Sequence, residues 1–490
     1  MTAWQERRSG LIAALLGMAA LLIIATASSR GSPALPAQAG VEQAPIRDTE
    51  LACPGASNDK TVETSMDLLA QALPAGASQP TETAPARARI LSAGQTPAVL
   101  RLSARGELAT KRLEPAAFGS SGIHSVIVRA AGSLAAGLQA WQLSSAPSGE
   151  DKGLAVGRCL APADQWWFVG TGTKFGHIGK LILTNADSGA CSLNLSLFGA
   201  KEKLSAVGLK GISLGPYSTK VLDLAQFAPQ QGNLALSVTT TQGRVYAAVK
   251  DRWTSGLMPT GVDWPTATAP STDLVVPAIL KGSGTNRLVV ANPGGSHALV
   301  SVELLGKNGR FVPKGLDSLQ LDPGQTISRD LTKLAGQDAA SVRLTSDQPV
   351  LGAVVTRLNG PDHDSSVLGG VAPLAGPASV PLTGTGALHL LLASASSHGG
   401  SATVSVMTRQ GTQLADSDVS LEGGTTTQWE LPHLTKHQST RAAYLAIQPT
   451  GSIVAAAFYQ GARGALAGVP VQSPTFTVAQ PTAHLVLTGD

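Results

Sequence analysis

Charge is scarce in this chain. Asp, Glu, Lys and Arg make up 14% of its 490 residues, against about 25% in an average globular domain. The formal net charge is +4, and no stripe of Lys and Arg concentrates it, so the electrostatic footprint of a nucleic-acid binder is missing. Cysteine is nearly absent: Cys53, Cys159 and Cys191 are the only three. No Cys-x-x-Cys spacing accompanies them, so no metal site is expected. Aromatic residues are 4%, which makes the placement of each one informative. No Glu pair, Ser/His/Asp order or Cys/His set stands out, and no cofactor fingerprint is expected to function.

One long apolar run is present, 11–24, preceded by Arg7 and Arg8 and fading through Ala25-Thr26-Ala27. A basic flank stays cytoplasmic, so the rest of the chain is expected outside the membrane. Ala25-Thr26-Ala27 has the small-x-small form that signal peptidase accepts. The stretch 11–27 is also just long enough to remain as a single anchor, and the reading adopted is an anchor. Either way the body is extracytoplasmic, or secreted if the leader is cleaved. In such a compartment disulfides persist. Cys159 and Cys191 flank the opening strands of one repeat and are the candidate pair, with Cys53 unassigned; Cys53–Cys159 and Cys53–Cys191 remain open.

What fills the gap left by charge is Gly, Ala, Ser, Thr and Val in short alternating runs. Residues 181–185, 287–293 and 388–394 match one another, and each is followed by an alternating strand: 193–197, 300–304 and 402–406. Each copy closes on a strand pair: 234–238 with 244–249, 340–344 with 350–355, and 443–447 with 453–458. The closing pair appears once more at 125–128 and 134–139. Alternation of period two buries one face of each strand, and six or seven such strands with regular turns read as a β-sandwich. The fold expected is all-β: tandem Ig-like sandwich repeats behind one N-terminal transmembrane or signal helix. The segments are 1–27 leader, 28–49 flexible stalk, 50–160 diverged repeat with a short helix at 61–73, three repeats at 161–268, 269–375 and 376–480, and a tail at 481–490. Propeller blades and solenoid turns repeat every 20–50 residues or so. A period near one hundred lets each copy hold its own core, so beads in tandem are expected rather than a closed ring.

Three stretches invite a chemical reading. Gly211-Ile212-Ser213-Leu214-Gly215 has the G-x-S-x-G form, but a nucleophile elbow needs a following helix, and here a strand begins; a solvent-facing Ser is the plainer reading. Gly170-Thr171-Gly172-Thr173-Lys174-Phe175-Gly176 lacks dinucleotide and P-loop spacing and reads as a turn. Asp362-His363-Asp364 places a His between carboxylates, a possible base or ligand set, directly after a turn composition; an exposed loop is the plainer reading. Trp166 and Trp167 open a repeat, and Trp253 and Trp264 close it. Trp166 and Trp167 are the candidate ligand-binding residues, since exposed indoles stack on sugars or anchor partners; the alternative is that all four seal joints between sandwiches.

The segment Leu160-Ala161-Pro162-Ala163-Asp164-Gln165-Trp166-Trp167-Phe168-Val169-Gly170, with Leu183-Thr184-Asn185, Gly261-Val262-Asp263-Trp264 and Ser346-Asp347-Gln348-Pro349-Val350, resembles an actinobacterial family of exported proteins catalogued as a domain of unknown function. The resemblance spans about residues 50–475. It implies a secreted or membrane-anchored envelope protein with no assigned activity, and gene neighbourhoods near glycosyltransferases point to envelope polysaccharide. The function expected is therefore a non-catalytic binding or scaffolding module, with cell-wall polysaccharide or an envelope protein as partner and the membrane reached through the N-terminal helix. The alternatives are a glycan-binding module using Trp166 or Trp167, and a wall-glycan enzyme using Asp362, His363 and Asp364.

Overall fold

A strand that alternates apolar and polar residues offers a sheet with one dry face, and two such sheets close on each other. That pairing occurs four times in this chain. The structure, a computed structural model, describes residues 41–57, 59–73, 85–90, 99–114, 123–359, 364–382 and 386–481. The chain divides into two units, 1–44 with 477–490, and 45–476. A two-stranded sheet of Val41–Pro45 and Thr477–Pro481 belongs to the first. The larger sheets all belong to the second.

In residues 165–263 one sheet runs in the order Gln165–Thr171, Leu234–Gln242, Cys191–Phe198, with Lys203–Leu204 and Ile212–Leu214 at its rim. The facing sheet runs Ser218–Asp223, His177–Asn185, Tyr246–Ser255, Met258–Asp263. Between them lies one apolar core that includes Leu181, Leu183, Leu195, Leu236 and Val249. The same order recurs at 378–471 and at 48–159. At 271–369 the strand Ala340–Leu358 serves both sheets, pairing first with Ser271–Ile279 and Ala298–Gly306, then with Ser283–Ala291 and Ser365–Gly369. These are four sandwich-like sheet pairs, all antiparallel.

The expected beads in tandem are not what the chain forms. Each sheet pair packs on two others, and the four close on themselves. The first meets the second through the Ser125 and Thr184 hydroxyls, 2.5 Å apart, and through the Arg129 Nη2 bond to the carbonyl of Ala186 at 3.0 Å. Second and third share Val169, Phe198 and Ala235 against Val289, Leu351 and Ala353. Third and fourth share Leu391, Ala456 and Phe458. Fourth and first are joined by Leu69, Trp141 and Leu143 in the fourth pair's core, and by the Tyr444 hydroxyl, which donates to the carbonyl of Gly106 at 2.9 Å. The physical reason is that the outer sheet faces are themselves apolar, so isolated beads would leave them in water.

Three further expectations need correction. The stretch 61–73 is not a helix: Glu63–Ala70 is a strand, paired on both sides with Leu138–Ala146 and Leu108–Leu113. Met66 and Leu68 face one core while Leu69 faces another. A strand buried on both faces loses its alternation and can imitate a helical period. Cys159 pairs with Cys53, not with Cys191, because the bridge between Ala52 and Leu160 brings the ends of Asp48–Ala52 and Gly153–Cys159 together. Cys191 is a buried free thiol packed in the core of the second pair. The described end of the expected stalk, 41–49, is largely strand. The leader at 11–24 lies outside the described residues; among those described, no helix is long and apolar enough to cross a membrane.

Candidate functional site

The last strand of each sheet pair, Gly153–Cys159, Met258–Asp263, Ser365–Gly369 and Leu466–Val471, runs to a common centre. At that centre sits the carboxylate of Asp364, fully buried. Its Oδ2 accepts backbone N–H bonds from Leu154 at 2.9 Å and Leu466 at 3.1 Å. Its Oδ1 accepts from Val262 at 3.2 Å and Ser365 at 2.9 Å. One side chain thus ties together all four pairs. The approach is possible because Gly261 and Gly153 lack side chains: a Cβ on Gly261 would lie 2.2 Å from Asp364 Oδ1, and one on Gly153 2.9 Å from Oδ2. Burial pushes the Asp364 carboxyl up to about 8, with the four N–H groups pulling the other way. Neighbouring Asp263, also fully buried, accepts from the Val367 N–H at 2.6 Å, and burial holds its carboxyl well above the usual range.

A second buried polar group lies within the second pair, on the side where Trp253 meets the third. His177 Nε2 is 2.8 Å from both oxygens of Asp251, and the Thr171 hydroxyl donates to Asp251 Oδ1 at 2.5 Å. The His177 ring stacks on Trp253 with centroids 3.6 Å apart, and the guanidinium of Arg357 lies 4.3 Å from the centroid of that indole. His177 is 4% exposed and Asp251 is not exposed at all, so this His–Asp pair is buried within the body. Its members are 74 residues apart, and no local spacing in the sequence marks them.

The residues singled out from sequence fall apart as a site. Trp166 is buried; its indole N–H donates to the carbonyl of Val245 at 2.7 Å, and it meets Tyr246 edge-on. Trp167 is half-buried and stacks on Phe198, centroids 5.9 Å apart, at the joint of the second and third pairs. Trp166 therefore offers no free ring face of the kind a sugar needs. Trp264 lies in the core of the second pair. Ser213 is exposed on the short strand Ile212–Leu214, with no helix after it. Asp362 and His363 lie outside the described residues, and Asp364 is taken up by its four N–H donors. His433 and His437 stand four residues apart, but a four-residue helix begins only at Lys436, so they do not share a helical face. Among the described residues no group of three or more potential metal ligands converges.

Residues 115–432 match a family of unknown function (DUF5719). No curated protein matches the chain. Among solved structures, Escherichia coli alpha-2-macroglobulin activated by porcine elastase aligns at 10% identity over 90% of this chain and 45% of that one, with a TM-score of 0.10; a value so low says nothing about fold or function.

Proposed function

We propose that this chain, which belongs to the DUF5719 family, is a non-catalytic binding or scaffolding protein of the cell envelope. In this reading the body is exported, held outside the cytoplasmic membrane by the segment 11–27 or released if that leader is cleaved, and built from Ig-like sandwiches. The observation that carries the reading is the use to which the buried acid and imidazole groups are put. Asp364 binds backbone N–H groups of all four sheet pairs, and His177 and Asp251 satisfy each other. Such groups are spent on fixing the geometry of a rigid body, which suits presentation of a surface to a partner. The disulfide Cys53–Cys159 fits an oxidising compartment.

The test is retention of cell-wall polysaccharide fractions by the purified chain, with crosslinking in the cell for protein partners. Saturable retention or a specific crosslinked partner supports the reading. A hydrolytic activity abolished by one substitution that leaves the fold intact overturns it.

A further inference from the structure

A small cavity lies where the first, second and fourth sheet pairs meet. Its volume is about 50 Å³. One water needs roughly 10–15 Å³, so the space suits a group of about three or four heavy atoms. Val156, Phe168, Ala248 and Val469 give it mostly apolar walls, and Arg158, Trp264 and Gln472 line it too. Arg158 Nη1 donates to Gln472 Oε1, the one hydrogen bond of that guanidinium among the described residues. No Asp or Glu lines the cavity. Burial pulls the Arg158 guanidinium down to about 10, and no nearby acid offsets it. Trp264 brings a second free donor: it is 6% exposed, and its indole N–H is buried with no partner. Buried polar groups are otherwise nearly always bonded. Two other rings of the wall are already engaged. The Trp166 N–H donates to the carbonyl of Val245, and the Tyr246 hydroxyl donates to the carbonyl of Arg158 at 3.4 Å.

Those donors select the ligand. A cation would find no carboxylate among the lining residues and would meet the guanidinium charge. A neutral ligand would leave that charge unpaired. One guanidinium balances one negative charge, whereas a dianion would leave charge buried against apolar walls. Lys250, the next cation, lies 5.8 Å from the centroid of the Trp264 ring and is already bound to Asp151. A planar carboxylate matches the fork of an arginine with two parallel N–H bonds. An indole N–H, a donor only, can bond the same group. A short aliphatic stem suits the apolar walls. We propose that this cavity binds a small organic monocarboxylate, held by the Arg158 guanidinium and the Trp264 indole N–H. A free acid and the carboxyl terminus of a peptide present the same chemistry. The assignment does not depend on the envelope-binding reading and survives its failure.

The experiment labels the indole nitrogens of the purified chain and follows the Trp264 resonance, assigned by its loss in Trp264→Phe. The titrants are propionate, N-acetylalanine, N-acetylalaninamide and inorganic phosphate. The expected result is a saturable shift of that resonance with propionate or N-acetylalanine, and none with the amide. A response to propionate alone identifies a free acid, and a preference for N-acetylalanine identifies a peptide terminus; either supports the site. In calorimetric titration Arg158→Gln weakens binding at least tenfold, and Trp264→Phe weakens it less, because a charge-assisted bond is stronger than a neutral one. Arg158→Gln should leave the melting temperature unchanged or raised, since it removes an unpaired buried charge. The acid–amide comparison uses the native chain alone, so a variant that fails to fold does not blunt it. Equal response to N-acetylalaninamide, tighter binding of phosphate, affinity indifferent to both variants, or no shift with either acid overturns the proposal. Wall-fraction retention and crosslinking in the cell test the envelope-binding reading separately.

Discussion

Replacing Asp364 with Asn tests whether one carboxyl really fastens four sheet pairs. In either protonation state the native side chain can accept at least three of the N–H groups of Leu154, Val262, Ser365 and Leu466. An amide accepts at its oxygen only, and whichever way it turns, its NH2 faces two of those donors. A buried donor left without a partner costs about 1–3 kcal/mol. Two of them give roughly 2–6 kcal/mol, from which the relief of burying an acid subtracts a part, so a loss of about 3–4 kcal/mol is expected. Urea unfolding measures the total. Hydrogen exchange read by mass spectrometry locates it: protection should fall together in 153–159, 258–263, 365–369 and 466–471, the strands that meet at this side chain. A loss below about 1 kcal/mol, or loss of protection confined to 365–369, would refute the idea that the pairs are held by a common centre.

Removing the disulfide by Cys53→Ser opens a closure of sequence separation 106 and should cost about 2–5 kcal/mol, measured by urea unfolding; native-state alkylation should leave Cys191 unmodified, and thiol mapping that instead pairs Cys159 with Cys191 would contradict the fold. Asp67, buried and bonded by the Thr110 hydroxyl, is raised by burial to about 6. Its folded value exceeds its unfolded one, so it disfavours the folded state increasingly as pH rises from about 4 to about 6. The stability of the native chain relative to Asp67→Asn should therefore decline over that window, by at most about 3 kcal/mol at 1.4 kcal/mol per pH unit, and a rising difference would be the wrong sign. Trp166→Ala empties a core position and should cost about 3–5 kcal/mol in thermal or urea unfolding; full stability with lost polysaccharide retention would return that indole to a binding role.

What the sequence showed and what it hid follow from periodicity. The strands 193–197, 300–304 and 402–406 alternate because one face meets the core and the other is only partly covered, so buried and half-buried residues alternate along them. Strands buried on both faces carry no such mark. Glu63–Ala70, with Met66 through Ala70 all buried, therefore read as a helix. The same blindness hid the first pair's full strand set, whose short pieces Ala86–Ile90 and Leu100–Leu102 are too brief to show a period. Asp364 stood out for its neighbours, His363 and Asp362, and turned out to matter for a reason no motif encodes, the convergence of four distant strands. His177 and Asp251 meet only because Thr184 and Tyr246 begin a register in which His177 lies opposite Trp253. The cavity at Arg158 and Trp264 is assembled from residues as far apart as Pro54 and Gln472, and such juxtapositions have no local sequence signal at all.

The scarcity of charge and the closed arrangement are one fact seen from two ends. A two-layer sandwich standing alone keeps half of its sheet surface in water, and those positions normally carry Lys, Glu, Asp and Arg. Here part of the outward face of the sheet containing Cys191–Phe198 is covered by the third pair, through Phe198, Val289 and Ala353. The outward face of the sheet containing Val454–Gln460 is covered as well, through Ala456 and Phe458. Each covered face removes a set of positions where charge would be tolerated. The small residues at these faces, Ala235, Ala291, Ala353 and Ala456 among them, let the sheets approach closely; a long charged side chain there would meet both desolvation and steric cost. A chain with 14% charged residues is therefore one whose sheets have few wet faces. Introducing charge at such a face, for example by Ala353→Lys, should destabilise the whole body rather than one bead of it. The physical content of the composition was legible from the start, but the arithmetic of period and bead size pointed away from it.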